Sequence, residues 1–283
     1  MQETREAAGE AAGAAVRTES ADADRVFLLG LGFDNTTERG CIERILGALD
    51  EGRGGWMVTP NLDILRRWTK SARFRELVAK ADVVVADGMP LIWASRIQGT
   101  PLPERVAGSS LVSTLSAAAA ERGKSIFLLG GDPGAAEEAA GVLKERHPGV
   151  RIVGTHCPPM GFERDEAAME AIEAALREAK PDIVYVALGS PKQEELILRL
   201  RTLHPGAWWL GVGISLSFLA GRVRRAPRWM QRLGLEWIHR LAQEPRRLAK
   251  RYLVHGLPFA AKLLGAAVWM RLRGRGAAEE HRS

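Results

Sequence analysis

Residues 81–110 have the sequence ADVVVADGMPLIWASRIQGTPLPERVAGSS, and this stretch decides the fold. Its apolar run, residues 83–86, is typical of a buried parallel strand, and residues 91–94 favour a helix that begins near Pro90. Gly88, between the two, allows a sharp turn. Asp87 therefore lies where the carboxyl end of a strand meets a helix. Open α/β sheets bind their ligands at this edge.

The carboxylate of Asp87 has two interpretations at this point. A carboxylate at the ligand-binding edge of a sheet can act as a general base in catalysis. It can equally cap the N-terminus of the helix that follows, which is a common role of aspartate. The position alone does not separate the two.

The rest of the chain alternates between apolar strands and helical patterns. The strands are predicted near residues 26–30, 56–58, 83–86, 125–129, 152–153, 183–188 and 208–210. This alternation predicts an α/β, Rossmann-like fold with a parallel sheet and helices on both faces. Because the carboxyl ends of parallel strands share one edge, four polar junctions should meet there: residues 59–61, 87–88, 130–134 and 189–194. Their convergence indicates a nucleotide or sugar-nucleotide site.

Two of these junctions carry groups that suit a sugar or a phosphate. Thr59 and Asn61 follow a strand, where they either cap the next helix or hydrogen-bond a substrate. Gly130 and Gly131 open a glycine-rich loop before a helix, where backbone N–H groups can bind a phosphate. The spacing is not that of a P-loop. The Gly30-Leu31-Gly32 segment lacks the third glycine of a dinucleotide fingerprint, so it favours neither NAD nor FAD.

The charge of the chain is unevenly distributed. Residues 222–283 contain 15 Lys and Arg against 4 Asp and Glu, whereas residues 1–221 contain 25 against 30. Such a basic segment favours an anionic partner, either lipid headgroups or nucleic acid. No nucleic-acid motif accompanies it, and arginine mixed with tryptophan is typical of a helix at a membrane interface. We therefore expect an anionic membrane surface as the partner, and no nucleic acid.

Four segments are predicted along the chain. Residues 1–24 form a disordered N-terminal extension, residues 25–221 the Rossmann-like domain, residues 222–270 a basic, helical, membrane-docking appendage, and residues 271–283 a flexible tail. The apolar run at residues 257–270 is shorter than the ~20 residues that a membrane span needs, so it should lie in the interface. Two isolated cysteines and the lack of a signal-peptide core predict a cytoplasmic protein on the inner face of the plasma membrane.

Six segments occur in the order seen in the WecB/TagA/CpsF family of bacterial glycosyltransferases, glycosyltransferase family 26. The chain resembles this family over residues 26–255. The segments are TPNLD (59–63), ADGMPLIWASR (86–96), PLPERVAGS (101–109), LLGGDPG (128–134), PDIVYVALGSPKQE (181–194) and RAPRWMQRLGLEWIHRLAQEPRRLAKRYL (225–253).

The resemblance implies that a UDP-sugar donates an N-acetylmannosamine-type sugar, or a related hexose or uronic acid. The acceptor would be an undecaprenyl-diphosphate-linked saccharide in cell-surface polysaccharide assembly. The transfer would invert the anomeric centre and use neither a metal ion nor another cofactor. The PPMGFE loop, residues 158–163, is more similar to exopolysaccharide members, and relatives form homo-oligomers. The alternative is a non-catalytic, nucleotide-sugar-binding partner of a polysaccharide synthesis complex.

The resemblance also implies roles for individual residues. Asp87 matches the proposed base, and we assign it and Thr59 to the catalytic group. His156 and His239 are alternative proton carriers that rank below Asp87. The substrate-binding candidates are Asn61, Gly88, Arg105, Gly130, Gly131, Pro191, Lys192, Gln193, Glu194, Arg240 and Arg247.

Overall fold

The computed structural model of the chain describes residues 24–280, with side chains to residue 273. The predictions of disorder for residues 1–23 and of flexibility for residues 281–283 lie outside the described residues. We call residues 25–221 the body and residues 222–280 the appendage.

The first predicted strand is a hairpin and not a member of the parallel sheet. Strand β1 (Arg25–Leu28) pairs antiparallel with β2 (Leu31–Asp34). Leu29 and Gly30 make the turn with φ of 50° and 91°, the positive values that a tight hairpin turn requires. The prediction of a parallel strand at residues 26–30 is therefore wrong, because the chain reverses direction inside that range.

The main sheet has six parallel strands, which confirms the predicted fold class. In chain order they are β3 (Gly55–Val58), β4 (Val83–Val84), β5 (Ser125–Gly130), β6 (Arg151–His156), β7 (Ile183–Ala187) and β8 (Trp208–Gly211). Their order across the sheet is β4-β3-β8-β7-β5-β6. Parallel pairing places the carboxyl ends of all six strands at one edge.

Helices cover both faces of this sheet. In the body they are α1 (Glu38–Asp50), α2 (Leu62–Lys70), α3 (Ala72–Val78), α4 (Met89–Gln98), α5 (Gly108–Glu121), α6 (Ala135–Arg146), α7 (Glu166–Ala179), α8 (Lys192–Leu200) and α9 (Ser215–Leu219). Helices α1, α5, α6 and α9 pack on one face, and α2–α4, α7 and α8 pack on the other.

The core lies on both sides of the sheet, because neighbouring strand residues point to opposite faces. On β8, Trp209 packs with the α2–α4 side, whereas Trp208 and Leu210 pack with the α1 and α5 side. All four residues of β8 are buried. Strands buried on both faces read as continuous apolar runs, which is why the sequence showed them clearly.

The hairpin closes the outer side of the sheet at β4. Val26, Leu28 and Phe33 are buried in the same core cluster as the α2–α4 side of the sheet. The Asp34 carboxylate accepts the backbone N–H of Val84 at 2.7 Å. This hydrogen bond attaches the hairpin to the last strand of the sheet.

The appendage consists of helices that bury few of their residues. They are α10 (Arg228–Arg232), α11 (Glu236–Gln243), α12 (Pro245–Ala249), a π-helical segment (Lys250–Gly256) and α13 (Leu257–Glu280). Neither α10 nor α11 contains a buried residue. By contrast, Phe259, Leu263 and Ala267 of α13 are buried, and they share a core cluster with Leu91 of α4.

Helix α12, the π-helical segment and α13 form one continuous helix that is longer than predicted. Residues Pro245–Arg273 form a continuous helical stretch of 29 residues that contains a segment long and apolar enough to cross a membrane, by length and composition alone. The prediction of an apolar helix confined to residues 257–270 is therefore wrong in extent. The predicted domain boundary at residue 270 also falls inside α13.

Pro258 lies inside this long helix, near the start of the predicted apolar run. A proline inside a helix lacks an N–H and clashes with the carbonyl four residues earlier. The segment just before it is π-helical, and the N–H of Leu257 donates to the carbonyl of Tyr252, five residues back. This wider turn accommodates the proline, so the helix continues through it.

Candidate functional site

Asp87, Thr59 and Gly108 meet at the carboxyl ends of β4 and β3. The backbone N–H of Gly108, the first residue of α5, donates to the Asp87 carboxylate at 3.3 Å. A Cβ atom on Gly108 would lie 3.3 Å from the Thr59 hydroxyl oxygen, so the two residues are in close contact. The Asp87 backbone N–H donates to the Pro60 carbonyl at 2.9 Å, which joins the two strand ends. The structure thus brings together the two predicted catalytic residues.

Burial perturbs the carboxyl group of Asp87. It raises the pKa of Asp87 to about 6, against the opposing effect of the Arg105 guanidinium. The nearby Glu236 carboxylate raises this pKa further, while the Gly108 N–H and Arg225 lower it. A carboxylate with a pKa just below neutral pH is mostly ionised at pH 7 and is a stronger base than an ordinary aspartate. The site can therefore accept a proton from a hydroxyl group.

Arg105 does not lie alone beside Asp87. Its guanidinium forms an ion pair with the carboxylate of Glu236 at 2.9 Å, and both side chains are largely buried. Glu236 belongs to α11, so this ion pair links the body to the appendage. Arg225 approaches the same carboxylate at 3.7 Å and donates to the hydroxyl of Ser110 at 2.9 Å. Two guanidinium groups and the N-terminus of α5 therefore surround the Asp87 carboxyl group with positive charge.

Asn61 and Gly88 have structural roles that the sequence left open. The side-chain oxygen of Asn61 accepts the backbone N–H groups of Asp63 and Ile64 at 3.0 and 3.1 Å, so Asn61 caps α2. Gly88 precedes α4 with φ of 166°. This value is extended backbone that any residue adopts, so the turn from β4 into α4 does not depend on the conformational freedom of a glycine at position 88. Its neighbour across the site is the backbone of Asn61.

The glycine-rich loop lies at the end of β5. Gly130 and Gly131 have φ of 92° and 90°, and a Cβ on Gly130 would lie 2.8–2.9 Å from Leu188 and the Ala187 carbonyl. Only glycine fits this backbone and this approach of β7. Asp132 accepts the hydroxyl of Ser217 at 3.0 Å, which joins the loop to α9. Helix α6 begins just after the loop, as a phosphate-binding arrangement requires.

Gln193 and Glu194 join the loops that follow β7 and β8. The Gln193 side chain accepts the Gly213 N–H at 3.1 Å and donates to the Glu194 carboxylate at 3.0 Å. Both residues are buried, and burial raises the pKa of Glu194. Pro191 precedes α8, and Lys192 forms an ion pair with Glu163 of the PPMGFE loop. In the described structure this segment fixes the backbone at the middle of the edge.

Arg240 and Arg247 both pair with Glu244 inside the appendage. Arg240 reaches Glu244 at 2.9 Å and stacks its guanidinium 5.3 Å from the ring centroid of Phe218 in α9. Arg247 lies on the other side of the same carboxylate. These contacts place Arg240 over the β8 end of the edge, while Arg247 remains half exposed. Their role toward a diphosphate remains a prediction.

His156 lies far from Asp87, whereas His239 is on α11, the helix that also carries Glu236. His156 ends β6, the strand at the opposite side of the sheet from β4. Five strand spacings separate these strands, or about 24 Å. Burial lowers the pKa of His156. His239 contacts Gln243 within α11 at 2.9 Å. The structure therefore favours Asp87 over His156 as a proton acceptor at the Thr59 end of the edge.

Sequence reasoning missed the residues that support Asp87. Gly108 comes from one segment and Arg225 and Glu236 from another, and the two segments meet only in the folded chain. Gly108 and Arg225 lie within the quoted motifs PLPERVAGS and RAPRWMQRLGLEW, as does Glu236, the one acidic residue between residues 222 and 243. That isolated carboxylate in a basic segment was the available signal.

Comparison with known proteins shows the family to which the chain is similar. A family model described as "Glycosyl transferase WecG/TagA/CpsF family" matches residues 26–273. A protein of Bacillus spizizenii is 33% identical over 199 residues, which cover 70% of this chain and 75% of that protein. A protein of Staphylococcus aureus is 31% identical over 236 residues, which cover 82% of this chain and 90% of that protein. Both relatives are named N-acetylglucosaminyldiphosphoundecaprenol N-acetyl-beta-D-mannosaminyltransferase.

Proposed function

Because the chain belongs to the WecG/TagA/CpsF family of glycosyl transferases, we propose that Asp87 is the general base of its sugar transfer. The observation that carries this proposal is the raised pKa of a carboxyl group held beside Thr59 and the N-terminus of α5. Asp87 would take the proton of the acceptor hydroxyl as that oxygen attacks the anomeric carbon. The bond to the leaving nucleotide breaks on the opposite face, so the anomeric centre inverts.

The donor in this proposal is a UDP-sugar, with UDP-N-acetylmannosamine as the first candidate, and the acceptor is an undecaprenyl-diphosphate-linked N-acetylglucosamine. The names of the two relatives support this choice. The leaving diphosphate develops negative charge, which positive groups or oriented N–H groups must stabilise. Arg105, Arg225 and the start of the glycine-rich loop offer such groups along the edge, and we infer that they replace a metal ion in this role.

We further propose that the protein works on the cytoplasmic face of the plasma membrane, bound peripherally through the appendage. Trp269 and Leu272 of α13 are exposed, and Arg273 stacks on Trp269 at 3.8 Å. Exposed apolar side chains next to arginines are typical of helices that lie in an anionic interface. A lipid-linked acceptor would be presented at this surface. The predicted role in exopolysaccharide assembly is a narrower form of the same proposal.

The test is UDP release from a panel of UDP-sugars with a short-chain polyprenyl-diphosphate acceptor, with and without a chelator. We compare the wild-type chain with Asp87→Asn, which keeps the shape of the side chain and removes its basicity. We expect acceptor-dependent UDP release that is unaffected by the chelator and falls by about 10²- to 10⁴-fold in Asp87→Asn.

His156→Ala is the matched control, because it removes a titratable group from the same edge at its far end. It should keep most of the activity. Full activity of Asp87→Asn together with loss in His156→Ala would overturn the assignment of the base. Tight UDP-sugar binding without transfer to any acceptor would instead favour the non-catalytic binding partner.

A further inference from the structure

Glu236 belongs to the appendage, yet its carboxylate lies between two arginines that face Asp87. One carboxylate oxygen contacts Arg105 at 2.9 Å and the other faces Arg225 at 3.7 Å. The side chain is only 22% exposed. An ion pair at this depth cannot be explained as a solvated surface contact, which contributes little to stability. The contact is part of the site.

Arg105, Arg225 and Glu236 form a network that is linked to Asp87 in two ways. Arg225 also donates to Ser110, in the first turn of α5, and Gln231 of α10 lies 3.5 Å from Arg105. Gly108, at the start of the same turn, donates to Asp87. Residues of the appendage therefore fix both the arginine beside Asp87 and the helix that hydrogen-bonds it.

We propose that Glu236 is a positioning residue for Asp87: it holds Arg105 and Arg225 in place and offsets their charge, so that docking of the appendage prepares the base. The inference rests on the proposed role of Asp87. It assigns to the appendage an anionic contribution to the site, in addition to the cationic one expected of a basic segment.

The physical reason is the charge balance around Asp87. The charged groups that face it are Arg105 from the α4–α5 connection, Arg225 from the segment before α10, and Glu236 from α11. Two guanidinium groups without a counter-charge would stabilise the ionised aspartate and make it a weaker base. Glu236 neutralises one of these charges. An undocked appendage would remove Glu236 and leave Arg105 free to pair with Asp87 itself.

The test reads the protonation of Asp87 without any substrate. Urea denaturation between pH 4.5 and pH 8 gives the free energy of unfolding of each protein and of the same protein carrying Asp87→Asn. The difference between these two free energies stops changing above the pKa of Asp87 in the folded chain. The pH at which it levels off therefore reports that pKa. The full chain is used throughout, in the wild-type, Glu236→Gln, Arg105→Gln and Glu244→Gln backgrounds.

We expect the levelling point to move in opposite directions in the first two variants. In Glu236→Gln it should fall by about one pH unit, because the arginines lose their counter-charge, and in Arg105→Gln it should rise. Glu244→Gln removes another appendage carboxylate, which pairs with Arg240 and Arg247, and should leave the levelling point unchanged. A general loosening of the appendage would move all three variants the same way and would overturn the inference.

The acid limb of the pH–rate profile for UDP release provides the second readout. It should shift to lower pH in Glu236→Gln by the same amount as the stability difference. If Asp87→Asn abolishes transfer but Glu236→Gln moves neither measurement, the inference fails and the proposed base stands. If Asp87→Asn transfers sugar normally, the proposed function of Asp87 fails, whatever the stability curves show.

Discussion

The body and the appendage use their large apolar side chains in different ways. Among the residues with described side chains, fourteen large apolar residues are exposed, and ten of them lie in the appendage, although it is less than a third the length of the body. The body buries every residue of five of the six strands of its parallel sheet, the exception being the outer strand β6. The appendage buries one stripe of α13, at Phe259, Leu263 and Ala267, and leaves α10 and α11 without a buried residue.

This difference teaches that the body and the appendage depend on burial within the chain to different degrees. Burying apolar surface is the main favourable contribution to folding, and the body obtains it within its own sheet and helices. The appendage leaves most of its apolar surface for something outside the chain. Exposed apolar patches of this kind mark interaction sites on soluble proteins.

The largest expected effect compares two tryptophans. Trp209 of β8 is fully buried, whereas Trp229 of α10 is 59% exposed. Trp209→Ala should lower the free energy of unfolding by about 3–5 kcal/mol, because it leaves a cavity in the core. Trp229→Ala should change it by less than about 0.5 kcal/mol. Urea denaturation of both variants measures the change in the free energy of unfolding. Equal losses in the two variants would contradict the expected difference between body and appendage.

The second prediction concerns the body, where the ionised carboxylate of Asp87 lowers the free energy of unfolding. The folded-state pKa of Asp87 is about 6 and its usual value is 3.8, so its contribution to stability is complete below about pH 4 and is lost as pH rises through 6. Asp87→Asn does not titrate. It should therefore be more stable than the wild type at pH 8, by up to about 3 kcal/mol, and should lose that advantage at pH 4. A constant difference across this range would contradict the raised pKa.

A third prediction concerns the surface that the appendage leaves exposed. The double variant Trp269→Ala, Leu272→Ala should bind anionic phospholipid vesicles about tenfold more weakly, because each side chain contributes buried apolar area. Phe27→Ala is the control, since Phe27 is a similarly exposed aromatic residue on the hairpin of the body. Vesicle flotation measures both. Equal weakening by the control would show that the body contributes to membrane binding.

The smallest effect is expected at a surface ion pair of the body. Arg39 and Glu43 lie 2.7 Å apart, with side chains 88% and 58% exposed. Exposed pairs gain little in water, so Arg39→Gln should not shift the midpoint of urea denaturation measurably. A clear shift would mean that the body depends on surface charge as well as on its two-sided core.

The sequence predicted the sheet well because most of its strands are buried on both faces. The apolar runs at β5 and β7 are continuous, and each ends at a polar junction of the site. The pairing of Asp87 with Thr59 followed from parallel strand order. These features depend on local composition and on the shared edge of a parallel sheet, both of which can be deduced from one chain.

The errors arose where a local pattern has two physical outcomes. An apolar run that ends in glycine predicts a strand, but positive φ at Leu29 turned it into a hairpin. Pro258 normally ends a helix, but the π-helical turn before it let the helix continue. The network of Arg105, Arg225 and Glu236 depends on contacts between residues more than a hundred positions apart, which no local pattern reports.

The hydrogen bond from Val84 to Asp34 has a consequence for how copies of the chain behave when crowded. A strand at the side of a sheet offers unpaired backbone groups that can recruit a strand from a neighbouring molecule. Here the strand is two residues long and its outward N–H is taken by a carboxylate at 2.7 Å. At high concentration such pairing between copies is favoured. We therefore expect the short strand and its hydrogen bond to Asp34 to disfavour edge-to-edge pairing at β4.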